Sequence, residues 1–354
     1  MNVLIKNRSK AALFIFVILA MATVLATGCG EKIAGLPEGT RTPSGEAFDK
    51  VGIGALAIAS SETSKVYVGT LGKGFFYSTN NGTTWAAAKT GLPNAVVISI
   101  AVDPKVSTIV YAGTQGQGLF NSADGGATWT ALNIGLEQAI IYGIAIDPEK
   151  PYILYVATSN GKIYKSRNSG KTWTATKIGF KNAVTTIVID PSTPTTLYAG
   201  GWDEGIVRST NGGTVWKKIN VGLANLNVRA IVLDPITPKN ICVATFGGGV
   251  YRSTDGGAKW AAINTGINSR YMQVLVINPA TPSMLYTGTN GDGMFATTDS
   301  GKTWKQINQG LTDKNVTALV INPEAATVLY AGTCVYGTGD VFRSTDGGAT
   351  WVGK

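Results

Sequence analysis

One eight-residue motif recurs seven times along this chain, almost evenly and up to the last residues, and a repeat of that period constrains the fold before any single residue is interpreted. The copies are Ser78-Thr-Asn-Asn-Gly-Thr-Thr-Trp85, Ser122-Ala-Asp-Gly-Gly-Ala-Thr-Trp129, Ser166-Arg-Asn-Ser-Gly-Lys-Thr-Trp173, Ser209-Thr-Asn-Gly-Gly-Thr-Val-Trp216, Ser253-Thr-Asp-Gly-Gly-Ala-Lys-Trp260, Thr297-Thr-Asp-Ser-Gly-Lys-Thr-Trp304 and Ser344-Thr-Asp-Gly-Gly-Ala-Thr-Trp351. Successive motif tryptophans lie 44, 44, 43, 44, 44 and 47 residues apart, so insertions are nearly absent. Trp202 is the one tryptophan off the pattern.

Between motifs the same unit returns from about Gly52 to Lys354. An apolar run ends in Asp-Pro or Asn-Pro, as at Asp103-Pro104, Asp234-Pro235 and Asn322-Pro323; a Leu-Tyr-Ala-Gly-Thr-like run, a Gly-rich turn and a third run follow. Short runs rich in Val, Ile, Tyr and Thr, bounded by Gly, Pro and Asn, read as strands. Beyond the N-terminal apolar stretch no segment keeps a helical period over ten or more residues. Each unit therefore supplies about four short antiparallel strands, and one such sheet cannot bury both of its faces alone. Seven sheets packed around an axis can. The prediction is an all-β chain forming a single seven-bladed propeller of four-stranded blades over residues 51–354.

Turn chemistry explains the motif. An Asp or Asn side-chain oxygen accepts backbone N–H groups inside the turn, the glycines permit positive φ, and the hydroxyl residue in front stays close to the backbone. The Trp opens the next strand and buries its ring beside the turn. Ser-x-Asp-x-Gly-x-x-Trp resembles the Asp-box, or sialidase-type (BNR), repeat of bacterial propellers, and the resemblance covers about 300 of the 354 residues. It implies that the box lies between the third and outermost strands, away from the usual binding mouth, and serves structure. Asp124, Asp255, Asp299 and Asp346 are then turn residues, not catalytic carboxylates. Asp103, Asp147, Asp190 and Asp234 have the same standing, since Asn278 and Asn322 replace them in later repeats. Gly-x-Gly pairs such as Gly116/Gly118 and Gly291/Gly293 are strand-connecting turns with no helix behind them to hold a phosphate.

The N-terminus reads differently. Lys6, Arg8 and Lys10 precede an apolar run from Ala11 to Ala26, and Cys29 follows Ala26-Thr-Gly28. This is an export signal over residues 1–28 that resembles a bacterial lipoprotein signal, with Cys29 as the lipidated first residue and residues 29–50 as a tether. Removing the signal leaves 27 basic and 21 acidic residues, a mild balance that does not mark a nucleic-acid binder. Arg208, Arg252 and Arg343 recur just before the motif and read as solvated strand residues. Cys242 and Cys334 fall at different places in different repeats, so no disulfide framework or metal spacing emerges. The chain stops four residues into the outermost strand of the seventh repeat, and shifting the period places Arg41 to Gly45 in register to complete that blade.

The chain has no histidine, which removes Ser-His and Cys-His dyads and the commonest metal ligand; no cofactor is indicated. Sialidases need an arginine cluster with a Tyr–Glu pair, a set this sequence lacks. The blade wording is similar to xyloglucanase-type glycoside hydrolases, which face two such domains across a cleft. Off-pattern carboxylates for hydrolysis would be Asp203, Glu204, Asp292 and Asp340. Size and export also resemble the photosystem II assembly factors, non-catalytic single propellers. Loops between second and third strands and between blades share one face, and there the repeat breaks down. They supply Trp202, Asp203, Glu204, Phe246, Asp292 and Tyr336 from the first set and Arg229, Arg270 and Tyr271 from the second. Exposed aromatics among mixed charges suit a protein-binding surface. The expectation is an exported, lipid-anchored, non-catalytic propeller of the cell envelope that binds an envelope or extracellular protein on that face, the alternative being glycan binding or hydrolysis.

Overall fold

The structure, a computed structural model, describes residues 51–354 apart from Lys89, Pro93 and Gln138. The signal, Cys29, the tether and the Arg41–Gly45 segment lie outside the described residues. Seven four-stranded antiparallel sheets follow one another, each built from four consecutive strands with no strand exchanged between sheets. In blade 5, for example, Val228–Leu233 lines the axis, Ile241–Thr245 and Gly249–Ser253 follow, and Ala261–Ala262 is outermost. The second strand of every blade is fully buried, which explains its near-continuous apolar wording; the two-residue outer strands are exposed.

Blade 7 corrects one expectation. Its outermost place is taken by the chain's own Val352–Gly353, paired with Phe342 and Arg343. This strand is as long as the outer strand of most other blades. No strand is missing there, and the premise for an N-terminal replacement falls. The ring closes by packing instead: Ile53, Leu56, Val66 and Val68 of blade 1 share a core with Ala318, Tyr330 and Val341 of blade 7. Thr317 Oγ1 donates to Ile53 O at 2.6 Å and Tyr330 Oη to Asn81 O at 2.9 Å across the same joint.

The boxes behave as turn chemistry requires. Ser122 Oγ accepts from Gly126 N at 2.8 Å, while the Asp124 carboxylate accepts from Thr128 N at 2.9 Å and Thr128 Oγ1 at 2.6 Å. Asn168 Oδ1 accepts from Thr172 N at 3.0 Å in the same place, so a neutral amide serves as well. Asp103 and Asn278 likewise accept from the N–H groups two and three residues on, capping the turn after the inner strand.

The box tryptophan is also a clamp between blades. The backbone N–H groups of Trp129, Trp173, Trp260, Trp304 and Trp351 each donate to a carbonyl just after the outer strand of the preceding blade. The following glycine lies so close that a Cβ on Gly222 would come within 2.2 Å of Trp260 O. Glycine is required there by space and by its φ of 88°.

One further expectation changes. Arg208 and Arg343 are half-buried, not solvated, and lie over the Tyr198 and Tyr330 rings that face them across the strand pair. Cys242 takes that tyrosine's place in blade 5, is buried and free, and desolvation pushes its thiol up to about 12.

Candidate functional site at the axial mouth

Each inner strand carries a β-bulge next to its first residue: the pairing steps from Val228↔Thr245 to Ala230↔Ala244, skipping Arg229. The same step skips Gly54, Ile98, Tyr142, Thr185, Gln273 and Thr317 in the other blades. A bulge leaves one residue out of the ladder and re-aims its side chain. Here all seven skipped residues line one cavity of about 260 Å³ at the mouth of the axis. Arg229 is the single charged member of that ring.

A second ring stands beside the first. The residue after each second strand donates its N–H to the linker entering the same blade, as Trp202 does to Ala183 O at 2.9 Å and Phe246 to Asn227 O at 2.8 Å. These fixed backbones hold the Trp202 and Phe246 rings against Arg229, whose guanidinium lies 4.3 and 4.9 Å from their centroids. Tyr271 extends the wall, its ring 5.0 Å from Phe246.

Electrostatics set Arg229 apart. Loss of hydration pushes it down to about 10, partly countered by Tyr142 and Asp203, so it stays charged at neutral pH. It joins none of the three ion pairs among the described residues, and its Nε is buried without a hydrogen-bond partner. Flanking π-faces offset part of the lost hydration, about 0.5–2 kcal/mol per ring. An acidic group entering the mouth would supply what the protein itself does not. Burial holds the Tyr142 hydroxyl above its ordinary value, against a smaller opposing effect of Arg229, so it is a neutral donor facing the same space.

Of the sequence candidates, Trp202, Arg229, Phe246 and Tyr271 come together, with Asp203 near Arg229 in a positive-φ turn (56°). Glu204 is a correction. Instead of facing solvent it is buried, and its carboxylate accepts from Lys181 N at 2.7 Å, Asn182 N at 3.2 Å and Lys218 Nζ at 3.3 Å. Desolvation raises its pKa, but those hydrogen bonds prevail and hold it below the ordinary carboxylate value, the reverse of what a general acid needs. Asp292, Arg270 and Tyr336 are exposed on the surrounding loops. Asp292 ties its loop through its carbonyl, which accepts from Gln306 and Asn308, and the Arg270 carbonyl accepts from Gly247 and Gly249.

Sequence reasoning missed the bulge ring, Tyr142 and Gln273 above all. The signal was present: aligned repeats show Gly, Ile, Tyr, Thr, Arg, Gln and Thr at one place inside an otherwise uniform strand. Strand periodicity hides it, because the bulge turns a residue assigned to one face toward the axis.

With the geometry in view, comparisons with known proteins can be placed. The family profile described as "Sortilin, neurotensin receptor 3" matches residues 117–222, less than half of the chain. No curated protein sequence matches it. Among solved structures, an ancestral GH74 enzyme aligns with TM-score 0.73 at 18% identity, covering 86% of this chain and 46% of that one. The GH74 xyloglucanase from Xanthomonas campestris gives 0.62 at 21%, covering 76% and 46%. YCF48 bound to D1 peptide gives 0.64 at 14%, covering 84% of this chain and 94% of that one. This chain thus spans less than half of either GH74 enzyme. At these identities the likeness is one of fold, a seven-bladed propeller of BNR-type repeats.

Proposed function

We propose that this chain is an exported, lipid-anchored propeller that holds a protein partner at its axial mouth and catalyses no reaction. The observation that carries the reading is Arg229, a half-buried cation between Trp202 and Phe246 that joins no ion pair and whose Nε has no hydrogen-bond partner. Unpaired cations flanked by aromatic rings are the composition of binding hot spots. The likeness in fold and size to YCF48, whose structure carries a D1 peptide, supports a peptide-like ligand. Export and anchoring rest on the basic N-terminus, the apolar run and Cys29. Glycan is the second reading, favoured by the stacked Phe246 and Tyr271 rings and the GH74 likeness. Against hydrolysis stands Glu204, whose carboxylate is committed to the fold.

The test is a pull-down from envelope extract with wild type and the Trp202→Ala/Phe246→Ala double variant, beside a polysaccharide-binding screen. A protein retained by wild type and lost from the variant supports the reading; retained glycan with released sugar replaces it by the enzyme. Cys29→Ser is expected to release the chain from membranes. Unchanged membrane retention, or a Cys29 sulfur found in a disulfide, overturns the anchor.

A further inference from the structure

The five tryptophan clamps span neither the closure between blades 7 and 1 nor the seam between blades 3 and 4. Among the described residues no such bond joins Trp216 to the preceding blade; its indole donates to Gly213 O of its own turn, and the ring is half-buried. Gly179, at the place where the other seam glycines press on a tryptophan carbonyl, has nothing within 4 Å. This is also the one repeat interval of 43 residues.

The seam keeps hydrogen bonds from Tyr155 Oη and Lys165 Nζ to Gly212 O, and two independent features coincide with its missing clamp. The outer strand of blade 3, Thr174–Lys177, is four residues long where every other blade has two. It is the last strand of its sheet, and among the described residues no backbone hydrogen bond reaches its outer side. Very short outer strands protect a sheet edge from pairing, and this edge lacks that protection. Charge is the second feature. Residues 161–233 hold ten of the cations and three acids, Asp190, Asp203 and Glu204, whereas the rest of residues 51–354 has fourteen of each sign. The whole net positive charge of the propeller body therefore sits on this sector. Between Thr174–Lys177 and the box of blade 4 lies a groove of about 440 Å³, lined by Lys165, Arg167, Lys177 and threonine hydroxyls.

We propose that this groove is a docking site for an extended acidic peptide segment of a partner protein, which pairs as an added strand with Thr174–Lys177. Main-chain pairing supplies affinity in strand addition, and alternate side chains supply selectivity. Acidic side chains of the incoming strand meet Arg167 and Lys177. A second copy of this chain is a poor occupant, because two such edges would bring like charges together. A flat anionic surface would leave both the groove and the strand edge unused.

The experiment measures fluorescence anisotropy of labelled peptides with the purified full chain. One peptide alternates Glu and Val; the control alternates Glu and Pro, with the same charge but every second backbone donor removed and a backbone that does not extend a sheet. Expected are saturable, salt-sensitive binding of the first and a loss of about tenfold or more for the second, and the same loss with Arg167→Glu/Lys177→Glu. Ala175→Pro, at a position that alternates with the inward-paired Thr176, removes a donor from the outer edge and weakens binding likewise; the charge-reversed pair keeps the test valid if that variant fails to fold. Trp202→Ala leaves binding unchanged, separating this groove from the mouth. Equal affinity for both peptides, no saturable binding, or displacement of the peptide by anionic vesicles or polyphosphate overturns the proposal.

Discussion

The two faces of the ring are built from the same repeats and obey different rules. On the box face the motif's polar groups find internal partners in most blades: hydroxyl to turn amide, carboxylate to backbone N–H, indole to a carbonyl, usually of the neighbouring blade. On the mouth face the bulge residue is freed from its ladder, and its identity changes in nearly every blade. Repetition persists where the fold consumes a side chain's hydrogen bonds, and variety appears where it does not. The mouth is therefore where function can be written without cost to folding.

The largest test of this contrast sets one tryptophan against another. Trp260 is 2% exposed and its Nε1 donates to Ile219 O at 2.6 Å, so Trp260→Ala removes a buried ring and its hydrogen bond to the neighbouring blade. The expected loss is about 3–5 kcal/mol, a fall of about 10 °C in Tm. Trp202→Ala is expected to move Tm by less than about 4 °C while weakening partner binding. Equal losses in thermal melts would erase the distinction between the faces.

Glu204 sharpens the contrast from the other side, as a mouth residue that the fold has taken. Glu204→Ala strands two backbone N–H groups and is expected to cost about 1–3 kcal/mol in chemical denaturation. A loss indistinguishable from zero would return Glu204 to the list of surface candidates.

Acid acts on the box face next. Desolvation opposes ionisation of Asp124, yet hydrogen bonds from Thr128, Ser122 and the turn amides hold it at about 2; Thr350 and Ser344 do the same for Asp346. Both lie below the ordinary 3.8, so their stabilisation is complete above about pH 4 and is lost as pH falls through about 2. Asp124→Asn/Asp346→Asn should flatten Tm against pH in that window while keeping the fold, since Asn80, Asn168 and Asn211 already fill the same place.

The smallest effect has the opposite sign. Replacing Arg229 by Met keeps volume and removes a desolvated, unpaired cation, so stability is expected to hold or rise by up to about 1 kcal/mol while binding disappears. Wild-type binding should fade as pH rises through about 10, where Arg229 loses its charge, and titration of the bound complex reads this directly.

How much was legible in the sequence follows the same division. The motif spacing implied seven blades and four strands each, and all seven sheets are present. Trp202, Arg229, Phe246 and Tyr271, which the structure brings together, stood out because they broke a pattern. Glu204 broke it too and was misread: its partners, the Lys181 and Asn182 amides, are more than twenty residues away in a linker whose course no repeat alignment reveals. The seventh blade was read as incomplete because a two-residue strand falls below what sequence patterning resolves.

The sequence by itself determined the blade number, the strand order within each blade and the structural standing of the box residues, because those depend on local turn chemistry repeated at a fixed period. Tertiary structure decided the rest. Only the closed ring brings Arg229 of one inner strand between rings from two blades, gathers seven bulge residues about one axis, and shows that a linker shortened by one residue coincides with a seam that lacks the tryptophan clamp. Those contacts join residues tens to hundreds of positions apart, and their geometry exists only after every blade has found its neighbour.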